Sequence, residues 1–134
     1  MKRLTVISAI AISSLLTFGI TNVMAKSSAS PIEKIDTDND GTLDLNEVKG
    51  SADALFSNLE KDADGTLDSK ELKGRISKGD LKSVDPDSDG TVSKDELMSY
   101  VESLFKDVDT DNDGTIDAKE LTSRKGKALL RVTQ

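Results

Sequence analysis

One twelve-residue pattern occurs four times in this chain and constrains its fold more than any other feature. The copies, loops 1 to 4, begin at residues 36, 60, 85 and 109. Each sets acids at its first, third and fifth positions: Asp36, Asp38 and Asp40; Glu60, Asp62 and Asp64; Asp85, Asp87 and Asp89; Asp109, Asp111 and Asp113. Glycine follows at the sixth position and threonine at the seventh (Thr42, Thr66, Thr91, Thr115). The ninth is Asp44, Asp68, Ser93 or Asp117, and glutamate closes every copy at the twelfth (Glu47, Glu71, Glu96, Glu120). Asp-Gly alone is a common turn signal. A solvated turn requires neither a glutamate six residues after the glycine nor an apolar residue two after it, as at Leu43, Leu67, Val92 and Ile116.

A large hard cation takes six to eight oxygens at roughly 2.3–2.6 Å. The four loops supply such a set and resemble EF-hand loops. On that reading positions 1, 3 and 5 give carboxylates and position 7 its backbone carbonyl. Position 9 binds directly or through water, and the long glutamate reaches back with both oxygens. The glycine stands where the chain turns through a backbone region that penalises a Cβ. All the residues named at these positions are candidate ligands, for up to four calcium ions or, alternatively, four trivalent lanthanide ions. Loop 2 is the open case, because Glu60 stands where the others begin with Asp.

Residues 1–25 read as a secretory signal peptide: Lys2 and Arg3, an apolar run from Leu4 to Ile20, then a small-residue cleavage site at Val23-Met24-Ala25. Its apolar run is at the short end for a membrane span. Cleavage would leave a 26–30 flexible tail and a 31–134 metal-binding domain, exported to the periplasm or beyond. The chain has no cysteine and no histidine. That disfavours zinc, copper and haem sites and any Cys–His nucleophile pair. A small exported domain without disulfides then has only metal to stabilise it. The net charge is −7, and −9 once the two basic residues of the signal are gone. Nucleic acid and anionic membrane surfaces are therefore not expected as partners, and a monomer is expected.

The connectors fix the arrangement. Only Val48–Leu59 separates loops 1 and 2, too short for an exiting helix, a turn and an entering helix. One helix must serve both loops, with Val48, Ala52, Leu55, Phe56 and Leu59 on its apolar face. Leu97–Val108 repeats the arrangement with Leu97, Val101, Leu104, Phe105 and Val108. A third helix is expected after loop 4, using Leu121, Ala128, Leu129 and Val132. Leu72–Val84, with Gly74 and Gly79, reads as two short helical pieces around a bend, capped at Ser77 and Asp80. A stiff helix of twelve residues, roughly 18 Å long, holds its two loops apart. Loop 2 then meets loop 3, and loop 1 meets loop 4. The expected fold is all-α: a compact three-helix bundle with its four loops paired at the two ends.

Beyond the loops, the chain from about Pro31 to Arg131 resembles the lanmodulin family of small periplasmic four-EF-hand proteins. The resemblance rests on Thr66-Leu-Asp-Ser-Lys-Glu-Leu-Lys-Gly-Arg75, Asp85-Pro-Asp87, Asp113-Gly-Thr-Ile-Asp-Ala-Lys-Glu-Leu121 and Lys127-Ala-Leu-Leu130. It implies selective lanthanide binding and metal-driven folding, in bacteria that use lanthanide-dependent alcohol dehydrogenases. The family carries proline at loop position 2. Here only Pro86 does, with Thr37, Lys61 and Thr110 elsewhere. Related exported EF-hand proteins taken to bind calcium look similar.

The main reading is an exported, non-enzymatic calcium-binding protein (buffer, sensor or carrier) that folds on binding metal. Selective lanthanide binding is the alternative. A dockerin-like interaction module is the remote one, since dockerin loops come in twos and lack the regular glutamate at position 12. Catalysis is not expected: 19 of the 25 acids occupy ligand positions, and the other six are scattered along the chain.

Overall fold

The two short connectors become the two long helices of the protein. The computed structural model describes residues 30–134. The expected signal peptide and residues 26–29 of the expected tail lie outside the described residues. In chain order the elements are β1 (Leu43–Asp44), α1 (Leu45–Leu59), β2 (Thr66–Leu67), α2 (Ser69–Leu72), α3 (Leu81–Val84), β3 (Val92–Ser93), α4 (Lys94–Val108), β4 (Thr115–Ile116) and α5 (Arg124–Arg131). Single 3-10 turns occur at Ile32–Lys34 and Glu120–Thr122. The protein is mostly helical, with strands of only two residues each.

Each long helix starts within the last three residues of a loop, and for a local reason. The side chain of Asp44 accepts a hydrogen bond from the Glu47 N–H (2.8 Å), and Glu47 accepts one from the Asp44 N–H (3.0 Å). Such a reciprocal pair satisfies two of the N–H groups that a helix start leaves without partners. Ser93 and Glu96 do the same for α4, and Asp68 and Glu71 for α2. The ninth and twelfth loop positions thus serve the helix as well as the loop.

α4 is the hub of the packing, with α1, α3 and α5 all against it. Val48, Ala52, Phe56 and Leu59 of α1 meet Leu97, Val101, Leu104, Phe105 and Val108 of α4 in one buried cluster. Leu55, expected on the buried face, is only half-buried at the rim. Tyr100, absent from the expected stripe, is buried. Each fully buried Leu, Val or Phe contributes about 1.5–3 kcal/mol. Phe56 and Phe105 belong to this core.

The strands join the loops in pairs. β1 lies antiparallel to β4, with Leu43 opposite Ile116, and β2 lies antiparallel to β3, with Leu67 opposite Val92. These four apolar residues are 0–1 % exposed. Loop 1 therefore meets loop 4, and loop 2 meets loop 3, as the short connectors require.

Two segments differ from expectation. The helical pieces of the middle connector are α2 and α3, so the first ends at Leu72 instead of beginning there. Asp80 does not cap α3 through its side chain; it bonds the Ser77 hydroxyl instead (2.5 Å). After loop 4 there is no single helix. Leu121 sits in the 3-10 turn, and Ser123 begins α5 by accepting from the Gly126 N–H (2.9 Å). The break lets α5 fold back so closely that a Cβ on Gly126 would lie 2.5 Å from the Leu121 Cα. The chain end then ties three places together. Ser51 donates to the Thr133 carbonyl, Gln134 to the Pro31 carbonyl, and Arg75 to the Arg131 carbonyl, at 2.6, 2.9 and 3.0 Å. Among the described residues no helix is long and apolar enough to cross a membrane.

Candidate metal centres

All four loops adopt one backbone path. The fourth residue has a left-handed φ of 59–62° (Asn39, Ala63, Ser88, Asn112), and the sixth, always glycine, has φ 84–90°. Two positive-φ residues so close together coil the loop inward, so that its early acids converge. Asparagine tolerates this region; alanine and serine are strained there.

The convergence yields four acidic clusters, in each of which one carboxylate oxygen from every residue lies within 4.8 Å of the others. They are Asp36, Asp38 and Asp40 in loop 1, Glu60, Asp62 and Asp64 in loop 2, Asp85, Asp87 and Glu96 in loop 3, and Asp109, Asp111 and Glu120 in loop 4. The other candidate ligands frame these clusters. Asp44, Asp68 and Ser93 cap helices, and Asp117 makes the matching bond to the Glu120 N–H (2.8 Å). Asp40, Asp64, Asp89 and Asp113 each accept from the N–H and the hydroxyl of the threonine at position 7. Sequence reasoning gave Thr42, Thr66, Thr91 and Thr115 only a carbonyl role. Their hydroxyls are what the recurrence of threonine encoded.

Position 1 anchors each loop. One carboxylate oxygen accepts from the glycine N–H five residues on: Asp36 from Gly41 (2.9 Å), Asp85 from Gly90 (3.2 Å), Asp109 from Gly114 (3.1 Å). Glu60, one methylene longer, still reaches the Gly65 N–H at 3.2 Å. Its length therefore does not remove it from the loop.

The remaining oxygens test whether the site fits a cation. Asp85 and Asp109 are only 5 % and 8 % exposed. The Oδ1 atom of each is buried without any hydrogen-bond partner. Burying an ionised oxygen with no donor carries a large cost. A cation would remove that cost in both loops, and each orphan belongs to a cluster with two further acids. The donor set is oxygen only, which suits calcium or a lanthanide and not a thiophilic metal.

Electrostatics divides the acids within a loop. At Asp38 the N–H of Asp40 pulls the pKa down, but desolvation and the nearby charges of Asp40 and Glu47 outweigh it, and the carboxyl sits above its ordinary 3.8. Asp87 and Asp111 are raised in the same way against the Asp89 and Asp113 N–H groups. Asp40 and Asp113 are lowered by the threonine hydroxyl and then its N–H, and Asp89 by the same two groups in reverse order. Mutual repulsion is thus felt most at position 3.

Comparison with known families agrees with this geometry. The EF hand family model matches residues 32–49, 78–101 and 101–123, which contain loops 1, 3 and 4. Loop 2 lies outside the matched residues, although its backbone and cluster repeat the others. No curated protein gives a significant match to the chain. The three matches and the acidic clusters support an EF-hand protein that binds calcium or another metal.

Proposed function

We propose that this chain is an exported, non-catalytic EF-hand protein that holds up to four metal ions, calcium first among them, and that folds when it binds them. The ligands are those named in the four loops. The observation that carries the reading is the pair of buried, unpartnered oxygens, Asp85 Oδ1 and Asp109 Oδ1, within clusters of acids. Without a cation these oxygens and their neighbours oppose folding, so binding free energy becomes folding free energy. The first 25 residues support export, and the acids committed to the loops leave no clustered pair for catalysis.

A second reading, selective lanthanide binding, is favoured by one observation. Loops 1, 2 and 4 each offer five carboxylates at ligand positions. Attraction scales with the product of charges, so anionic ligands favour a trivalent ion over a divalent one of similar size.

The test uses metal-stripped protein. Far-UV circular dichroism follows the helices, and the single tyrosine, Tyr100, reports the core by fluorescence without tryptophan interference. Low helicity in chelator and a large joint gain on adding calcium or lanthanum are expected. A helical, cooperatively melting metal-free protein would overturn the proposal.

A further inference from the structure

The closing glutamate is held differently in the four loops, and the residue at loop position 2 decides how its Oε1 is held. In loop 1, Glu47 Oε1 accepts from the Thr37 N–H (2.6 Å) and from the Thr37 hydroxyl (3.0 Å). In loop 4, Glu120 Oε1 accepts from the Thr110 N–H (2.8 Å) and hydroxyl (3.0 Å). In loop 2, Glu71 Oε1 accepts only from the Lys61 N–H (2.7 Å). In loop 3 position 2 is Pro86, which has neither donor, and among the described residues no hydrogen bond reaches Glu96 Oε1. The other oxygen accepts from the N–H of position 9 in every loop, Asp44, Asp68, Ser93 and Asp117 at 3.0, 3.1, 2.8 and 3.1 Å, and in loop 3 it accepts from the Ser93 hydroxyl as well (2.8 Å).

A carboxylate oxygen has two lone pairs. Threonine at position 2 occupies both on Oε1, lysine occupies one, and proline none. A cation that needs both oxygens of the glutamate must displace a donor from Oε1 in loops 1 and 4; in loop 3 Oε1 is open and the donor to be displaced is the Ser93 hydroxyl on Oε2, and in loop 2 each oxygen keeps a free lone pair. A cation satisfied by one oxygen can use Oε2 and leave the threonine contacts intact. Large ions of high coordination number belong to the first kind; magnesium, octahedral and reluctant to give up its waters, belongs to the second.

We propose that Thr37 and Thr110 are positioning residues whose hydroxyls latch Oε1 of the closing glutamate, lowering the preference of loops 1 and 4 for large cations over magnesium, while Pro86 leaves Oε1 of Glu96 unlatched in loop 3. This rests on the metal-binding reading above and adds to it a determinant of selectivity outside the ligand set. It also opposes the charge count. Ser93 costs loop 3 one carboxylate and its hydroxyl holds Glu96 Oε2, whereas Pro86 leaves Oε1 free.

The experiment uses the full chain and two single variants. Thr110→Val removes the hydroxyl and keeps the N–H and the branched shape at an exposed position. Pro86→Thr installs the latch in loop 3. Amide signals of Gly114 and Gly90 report loops 4 and 3 separately as calcium, lanthanum or magnesium is added. The expected result is that Thr110→Val tightens calcium and lanthanum at loop 4 by about three- to tenfold, the worth of one hydrogen bond, and leaves magnesium unchanged. Pro86→Thr weakens the two large ions at loop 3 by a similar factor. Unchanged calcium and lanthanum affinities, or a magnesium shift of equal size, would overturn the latch, the latter because the threonine would then only stabilise the loop. If the parent chain shows no response of the Gly114 and Gly90 signals to any of the three ions, the underlying metal-binding reading fails instead.

Discussion

At the scale of single residues, the loops differ at position 4, where strain can be compared across four copies of one backbone. Asn39 and Asn112 hold the left-handed conformation in loops 1 and 4, while Ala63 holds it at φ 62° in loop 2. Such a conformation costs an ordinary L-residue about 1–2 kcal/mol, and asparagine reduces this by local hydrogen bonding. Ala63→Asn should therefore stabilise the calcium-loaded protein by up to about 1 kcal/mol in urea unfolding. No gain would mean that loop 2 relieves its strain elsewhere. The loop acids and the glycines were legible in the sequence because their chemistry repeats every 24 or 25 residues. Gly126 was not. Its requirement comes from one backbone approach to Leu121, and a single glycine in a helix carries no pattern that announces a close contact.

At the scale of elements, the loop and the helix after it share residues, so a ligand change is also a capping change. Asp44 is both a candidate ligand and the N-cap of α1. Asp44→Ala removes both roles and should cost about 1 kcal/mol of stability from the cap alone. Asp44→Ser keeps a capping oxygen and removes a charge, which is the condition loop 3 already has at Ser93. The serine variant should retain the urea midpoint of the calcium-loaded protein more nearly than the alanine variant, while its lanthanum affinity at the Gly41 amide falls. Equal losses in both variants would show that capping is not separable from ligation here. The long helices and their loop partners were readable because connector length is arithmetic: one helix fits between loops 1 and 2, and one between loops 3 and 4. The C-terminal segment was harder. Leu121, Ala128, Leu129 and Val132 have helical spacing, yet Ser123 restarts the helix and turns one expected element into two. Periodicity records which residues are buried and is blind to a break that keeps them buried.

At the scale of the whole molecule, folding is a contest between an apolar core and concentrated negative charge. Position 3 shows the sign. The pKa values of Asp38, Asp87 and Asp111 lie above 3.8 in the fold, so their ionised forms oppose the metal-free fold at neutral pH. Acidification through those raised values relieves the repulsion. The lowered Asp40, Asp89 and Asp113 contribute stability above 3.8, and most of it is lost only as pH falls further, through their lower folded values. In metal-stripped buffer, helicity should thus be greater near about pH 4 than at about pH 7; the reverse order would mean that repulsion within the loops does not limit folding. On the proposed function, metal would do at neutral pH what protons do in acid. That leads to the choice of ion. Three loops with five carboxylates should bind trivalent ions more tightly than calcium in absolute terms. Only one loop has a proline at position 2 to stiffen it by fixing φ, and a flexible loop adapts to the poorer fit instead of rejecting it. Calcium at micromolar to millimolar levels should therefore suffice to fold the protein where lanthanides are scarce. The measurement is helicity and Tyr100 fluorescence against free calcium, repeated with lanthanum. If millimolar calcium leaves the chain unfolded while submicromolar lanthanum folds it, calcium is not the resident ion and the lanthanide reading takes its place.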